Sequence, residues 1–498
     1  LSTLRRFAGQ TAIYGITTIA ARVLNFFLTP LYVVVYPVSQ YAVFSELYSY
    51  AGIIAAVLSF GMETTYFRFL TRENQNPEVY NDSAFTLFLT SAFFALIACF
   101  SLTSVNNLLQ RGVAYGMVDY PAFILLFLAF LVLDNLNVIP FARLRAEGRS
   151  VRYAVLRSGN VAIFILLNLF FIFILPPIAR MHNAAGHLAL AIYRPRWIGY
   201  VFVSNLIASA VTFLLLLPEI TRFRFKLNFT LLKQMLAYSW PILIANISFV
   251  INENLDKIYL KNLLPPGEKL VQLGIYSACC KLAIFLNLFI QAFRLGAEPF
   301  FFSHASNPNA PKTYALIMKY FVIMISVIFL GIVCNIELLK YFIPNRQMWQ
   351  GLRVVPLILL GYVCLGIYMN LSVWYKLSDQ TKYGFYISGI GAVITIVLNP
   401  LLIPWIGFMG SAWTTFAAYL VMMLLSYFWG QRNYPIPYDL ASSLSVLLLA
   451  VFLMMVSFIG FKRNIWIGEA IFIVFSAFIF MREKTELLRM ILGNDASR

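Results

Sequence analysis

"LRAEGRSVRYAVLRSGNVAIFILLNL" (residues 144–169) and "YKLSDQTKYGFYISGIGAVITIVLNP" (residues 375–400) align without a gap at an offset of 231 residues. Each opens on a short polar, basic turn, passes into a long apolar run and reaches an asparagine, Asn168 in one and Asn399 in the other. A basic turn leading into about 20 apolar residues reads as a loop feeding a membrane-spanning helix. The second copy lies six helices after the first. An even number of crossings returns the chain to the same side of the bilayer, so the repeat is parallel, its halves related by an axis along the membrane normal. A weaker match agrees: "YGITTIAARVLNFF" (14–27) overlays "YSWPILIANISFVI" (238–251), with Arg22 opposite Asn246.

The rest of the chain fits that frame. Its 498 residues are 61% hydrophobic and 11% charged, with a mean hydropathy of +0.80. Windows of about 19 residues give fourteen spans, near 11–34, 41–62, 83–106, 120–141, 152–176, 198–217, 236–260, 273–296, 313–334, 353–375, 382–404, 409–430, 441–460 and 464–481. The expected fold is an all-α polytopic membrane protein of about fourteen transmembrane helices. Two parallel six-helix lobes surround a central cavity, and two C-terminal helices follow. The expected boundaries are an N-terminal lobe at 1–217, a cytoplasmic amphipathic linker at 218–234, a C-terminal lobe at 235–432, and the last helix pair with a cytoplasmic tail at 433–498. The ten-residue alternation of a membrane barrel is absent. Two stretches read as amphipathic segments along the inner interface, "EITRFRFKLNFTLLKQML" from Glu219 and "REKTELLRMIL" from Arg482.

There are 37 Lys+Arg against 20 Asp+Glu, a net charge of +17. In a soluble protein this balance would suggest nucleic acid. Here basic loops account for most of it, and their asymmetry puts both termini in the cytoplasm. The opening "LSTLRRF" reads as a basic lead into the first span rather than as a signal peptide. The longest loop, near 177–197, leaves no room for a soluble catalytic domain, so a transporter is expected rather than an enzyme. The five cysteines fall in apolar runs and the three histidines have no ligand spacing. With no GxxxxGK[ST] loop either, no metal or nucleotide cofactor is expected.

The stretch "YKLSDQTKYGFYISGIGAVITIVLNPLLIPWIGFMGSAWTTFAAYLV" resembles the signature of the oligosaccharide (O-antigen-type) flippases of the multidrug/oligosaccharidyl-lipid/polysaccharide exporter superfamily. The matching positions are Lys376, Asn399, Leu402, Ile403, Pro404, Gly407, Gly410 and Ala412, with Ser411 where a second alanine is common. "LGIYSA" (273–278), the basic turn Arg143–Arg149 and "FAGQTAIYG" near the start also fit, so the resemblance runs along the whole chain. It implies a bacterial inner-membrane flippase. Such a protein moves undecaprenyl-pyrophosphate-linked oligosaccharide to the periplasmic leaflet, alongside other polysaccharide assembly proteins. The matched glycines and prolines read as packing and helix-break residues.

Site candidates come from charges inside the spans. Tyr14, Thr18, Arg22, Asn25 and Thr29 share one face of the first helix. An arginine near midplane is costly against lipid. It reads as a cavity ligand for the lipid pyrophosphate, or as a structural partner of Asp134 or Glu46. Ser239, Asn246 and Glu253 recur at heptad spacing on the seventh span, with Lys257 able to pair with Glu253 at i,i+4. Lys281, Arg294 and Arg157 are further cavity cations; Lys281 could instead snorkel or be paired, and Arg294 could be one more arginine of the positive-inside bias. Glu46 and Asp134 are the intramembrane carboxylates able to carry a coupling H+ or Na+, or to serve as structural partners. The deepest charges are mixed but lean basic, which favours an anionic substrate. The alternatives are an ion-coupled multidrug antiporter of the same fold and, further off, a membrane-embedded polysaccharide polymerase or ligase.

Overall fold

The computed structural model describes residues 20, 23–73, 76–110, 119–224, 227–304, 307–378 and 380–491. Among them every regular element is a helix. Lipid offers backbone groups no hydrogen-bond partner, so an apolar chain that crosses it satisfies them within its own helices. Among the described residues twelve helices are long and apolar enough to cross a membrane, and two shorter apolar helices, Val23–Val35 and Gly199–Leu215, bring the apolar helices to the fourteen expected.

In chain order α1 is Val23–Val35, α2 Val38–Ser59, α3 Met62–Arg72, α4 Pro77–Gln110, α5 Tyr120–Ala146 and α6 Ser150–Ile178. A short helix in the long loop, α7, is Ala184–Ile192 and α8 is Gly199–Leu215. Then come α9 at Phe229–Leu263, α10 at Lys269–His304, α11 at Ala310–Cys334 and α12 at Arg346–Leu377. The last four are α13 at Lys382–Ile406, α14 at Phe408–Asn433, α15 at Leu440–Gly460 and α16 at Ile465–Ile491.

α2 and α3 form one bent span. Phe60 and Gly61 at the bend are left-handed, with φ of 48° and 65°. A Cβ on Gly61 would stand 2.9 Å from Ile242 Cγ2 of α9, so the bend needs both the free backbone and the missing side chain. Gly407 turns α13 into α14 at φ 58°, and a Cβ there would meet Gln272 Oε1 at 2.6 Å. Gly407, one of the glycines of the matched stretch, is thus required by its backbone conformation and by close packing.

The chain folds as two compact units, residues 1–277 with 384–414, and residues 278–383 with 415–498. In the first unit α9 packs on α2, α4 on α5, and α5 and α6 both pack on α8. An aromatic core links these helices, with Tyr48 and Phe202 stacked at 5.8 Å and Phe123 and Phe202 at 5.4 Å. In the second unit α11 packs against α12, α15 and α16.

The two amphipathic segments are not separate interfacial elements. Asn228 caps α9, accepting the Leu231 amide, so the residues from Phe229 onward are its first turns. Leu231 and Met235 are buried in a cluster with Met62, Tyr66 and Ile139. The apolar face that read as membrane-seeking is packed inside the protein. The other segment continues α16 without a break to Ile491.

Candidate functional site

Charged side chains inside the spans cluster in a few places. In the first unit Glu46 of α2 is fully buried and its Oε1 lies 2.8 Å from Lys261 Nζ of α9. The Tyr120 hydroxyl of α5 donates to the other carboxylate oxygen at 3.4 Å. Lys261 Nζ stands 4.7 Å from the centroid of the Tyr120 ring, which adds a cation–π contact. Burying two charges costs several kcal/mol per ion and is tolerated only with this degree of pairing. Glu46 is therefore partnered by Lys261.

Asp256, a turn and a half before Lys261 on α9, is also buried. The Tyr276 hydroxyl of α10 donates to its Oδ2 at 2.6 Å, and Lys257 Nζ stands 3.0 Å from its Oδ1. Lys257 also donates to the Glu253 backbone carbonyl at 3.0 Å. Lys257 thus reaches back one turn to the Glu253 main chain and has the neighbouring aspartate as a carboxylate partner. Glu253 itself is half-buried.

The other predicted positions are scattered. Arg22 and Thr18 lie outside the described residues. Asn25 and Asn246 are exposed. Arg157 is exposed, with its guanidinium 5.8 Å from the Phe141 ring centroid. Asp134 of α5 accepts a 2.6 Å hydrogen bond from Ser209 of α8. Lys281 is half-buried on α10.

Arg294 falls in a defined recess. In the second unit a small cleft is lined by Arg294 of α10 and by Asn370 and Lys376 of α12, over an apolar floor that includes Phe293 and Phe321. Among the described residues no carboxylate lines it. Asn370 is 8% exposed, and its Nδ2 is buried without a hydrogen-bond partner.

The basic turn from Arg143 to Arg149 is matched by acids. Arg143 Nε is 2.6 Å from Glu147, Arg145 pairs with Glu63, and Arg149 and Arg152 lie 3.1 and 2.9 Å from the buried Glu219. Burial pushes the Glu147 carboxyl up, but the Arg143, Arg222 and Arg149 guanidiniums outweigh it and hold it below the usual carboxylate range.

Lys261, Glu219 and the Lys319–Glu483 pair of the second unit, at 2.9 Å, were missed as partners by sequence reasoning. Lys261 falls one residue past the expected end of its span, and Glu483 sits in a segment read as surface.

The helices and their apolar lengths together define an all-helical, polytopic membrane protein. Residues 241–401 match the MatE family model. No curated protein matches the sequence. Among solved structures the chain is similar to "Lipid II flippase MurJ, inward closed conformation", at 14% identity and a TM-score of 0.72, covering 96% of this chain and 100% of that one. It is also similar to an inward-facing multidrug resistance MATE family transporter of the MOP superfamily, at 14% identity and a TM-score of 0.61, covering 84% and 93% of the two chains. A mutant of the Vibrio cholerae MATE transporter VcmN aligns at 13% identity and a TM-score of 0.59, covering 87% and 98%. The fold is the one these transporters share.

Proposed function

We propose that the protein is a flippase of the multidrug/oligosaccharidyl-lipid/polysaccharide exporter superfamily. It carries a polyprenyl-diphosphate-linked oligosaccharide, of the undecaprenyl-pyrophosphate class, from the cytoplasmic to the periplasmic leaflet of a bacterial inner membrane. The observation that carries this reading is the fourteen-helix length of the fold. The lipid II flippase aligns over almost the whole chain. The drug transporters leave a share unmatched that is comparable in length to the last two helices. In this chain that helix pair is built into the second unit by the buried Lys319–Glu483 contact, which supports a working part rather than an appendage.

The two lobes at 1–217 and 235–432 alternate access to a cavity between them, with both termini in the cytoplasm. Arg22 faces the diphosphate there, and Asp134 is the carboxylate left to carry a coupling ion once Glu46 is paired. A second reading, a cation-coupled drug antiporter, draws on the MatE match over 241–401.

The test is reconstitution of the purified chain in ATP-free liposomes. A polyprenyl-diphosphate oligosaccharide is placed in one leaflet and its exposure to a membrane-impermeant glycosidase is followed. The expected result is protein-dependent transfer, abolished in Arg22→Ala and partly kept in Arg22→Lys, where a point charge replaces a fork of donors. Transport of a cationic dye down an ion gradient, without lipid transfer, would establish the antiporter instead.

A further inference from the structure

The long loop between α6 and α8 carries a helix built the wrong way round for water. α7, Ala184–Ile192, opens on Asn183, whose side-chain oxygen accepts the Gly186 amide at 2.9 Å. Its two buried residues, Gly186 and Ala189, are both small. A Cβ on Gly186 would overlap the Met181 carbonyl, so the close approach on this side admits nothing larger. Ala189 joins Leu175, Ala179 and Tyr200 in a buried cluster. At the other end the Tyr200 hydroxyl donates to the Ile192 carbonyl at 2.9 Å. The helix is thus pinned to the turn after α6 and to the first turn of α8.

The large apolar side chains of α7 point outward. Leu188 is 74% exposed, and Leu190 and Ile192 are each more than half exposed. Leu188 and Ile192, one turn apart, share a side, and Leu190 lies round the helix from them. A helix on the surface of a soluble domain buries its leucines and leaves its small and polar residues outside. α7 reverses that order, which lowers its free energy only where the surrounding medium is itself apolar. Phe173 and Ile174, near the end of α6, are exposed in the same manner, as the lipid-facing side of a span is.

Charge fixes the depth. Arg180, Arg194 and Arg196 flank the helix and are exposed, and residues 177–197 contain no Asp or Glu. Arg194 is held by Asp119 at 2.7 Å, with its guanidinium 4.9 Å from the centroid of the Trp197 ring. Arginines and a tryptophan beside a leucine-bearing helix suit the boundary between head groups and acyl chains, where the apolar side chains dip inward and the guanidiniums meet phosphates. A guanidinium answers a phosphate with paired donors.

We propose that α7 is an interfacial helix that docks on the bilayer surface, with Arg180 and Arg196 on the phosphates of anionic phospholipids. It holds the adjoining ends of α6 and α8 at one depth of the membrane. In the topology proposed above this is the periplasmic side, but the inference does not rest on the flippase reading.

The experiment uses the full-length chain in nanodiscs. Leu188→Cys and Ile192→Cys are made singly in a chain carrying Cys99→Ser, which removes the exposed native cysteine, and Phe173→Cys serves as the lipid-facing reference. Each carries a fluorescent label, quenched either by a nitroxide on a phospholipid acyl chain or by iodide in the water. The labels at 188 and 192 should be quenched by the lipid nitroxide about as strongly as the reference and only weakly by iodide. Strong iodide quenching places α7 in water and overturns the docking. Quenching by neither shows that protein covers this side, and also overturns it. Melting temperatures in phosphatidylglycerol and phosphatidylcholine discs test the arginines. The parent should gain stability in phosphatidylglycerol, and Arg180→Gln with Arg196→Gln should gain less while its label at 188 stays lipid-quenched. No gain in the parent, or an equal gain in both chains, overturns the phosphate contact.

Discussion

Lys261 Nζ sits 2.8 Å from Glu46 Oε1, with 2% and 0% of the two side chains exposed and 215 positions of chain between them. The contact joins α9 to α2 inside the first unit, next to the Tyr120 ring. Removing one partner strands the other charge away from water, which costs roughly 3–5 kcal/mol. Lys261→Met and Glu46→Gln alone should each lower the melting temperature and the amount of protein in the membrane. The double variant should recover most of the loss, because it buries no charge. Equal destabilisation of the double variant and the worse single variant would show that the pair is not what holds these helices.

The Lys319–Glu483 contact plays the same part in the second unit. Lys319 lies on α11 and Glu483 on α16, and Arg482 beside it donates to Ser442 of α15 at 2.7 Å. Lys319→Met should loosen α16 before it affects the rest of the chain. Limited proteolysis should then cut in the 434–439 or 461–464 connections, where the intact chain resists, while Lys319→Met with Glu483→Gln should resist again. Cleavage at the same rate in the single variant and the parent would contradict an anchoring role.

Glu147 offers a pH test outside the spans. Its folded carboxyl titrates below its ordinary value of 4.5. The unfolded chain therefore binds the proton more readily, and the stabilisation is complete above the unfolded value and lost as pH falls through the folded one. The melting temperature of Glu147→Gln should fall below the parent's at pH 7, and the gap should close below about pH 4. The gap will be modest, because the Glu147 side chain is about a third exposed and solvent screens its pairs. A gap that widens with acid would reverse the sign of the argument.

These pairs mark where sequence reading stopped. Hydropathy located the fourteen apolar helices of the described residues because burial in lipid demands long apolar runs whatever the tertiary contacts. The repeat was legible because its halves keep a polar turn and an asparagine in register. Charge partners were not. In "NENLDKIYLKNL" (252–263) a helical reading pairs Lys257 with its neighbours along the chain, and nothing local says that Lys261 reaches a glutamate on α2. Glu483 was taken as a surface residue because its segment is charged, whereas one of its faces packs inward. Arg294 was legible as a cation inside a span. The cleft it shares with Lys376 and Asn370 depends on helix packing that no local pattern carries.

The asparagines that revealed the repeat make the same two bonds in each copy. Asn168 Nδ2 donates to the Phe164 carbonyl at 2.7 Å and its Oδ1 accepts from Tyr32 at 2.9 Å. Asn399 Nδ2 donates to the Thr395 carbonyl at 2.9 Å and its Oδ1 accepts from Ser411 at 3.2 Å. Each asparagine closes its own helix turn and receives a hydroxyl from another helix, and both are fully buried. The costs of deletion should nevertheless differ. Asn168→Ala leaves the Tyr32 hydroxyl, fixed at the end of a rigid ring and buried, without an acceptor, a loss of about 1–3 kcal/mol. Asn399→Ala leaves the Ser411 hydroxyl, which can rotate to a carbonyl one turn back on its own helix. Melting temperatures should therefore fall further for Asn168→Ala than for Asn399→Ala. Adding Tyr32→Phe to Asn168→Ala should restore part of the loss by removing the orphaned donor, whereas adding Ser411→Ala to Asn399→Ala should restore little. Equal losses at the two asparagines, or no rescue by Tyr32→Phe, would show that the shared bonds are a by-product of the repeat and not what fixes these helices in place.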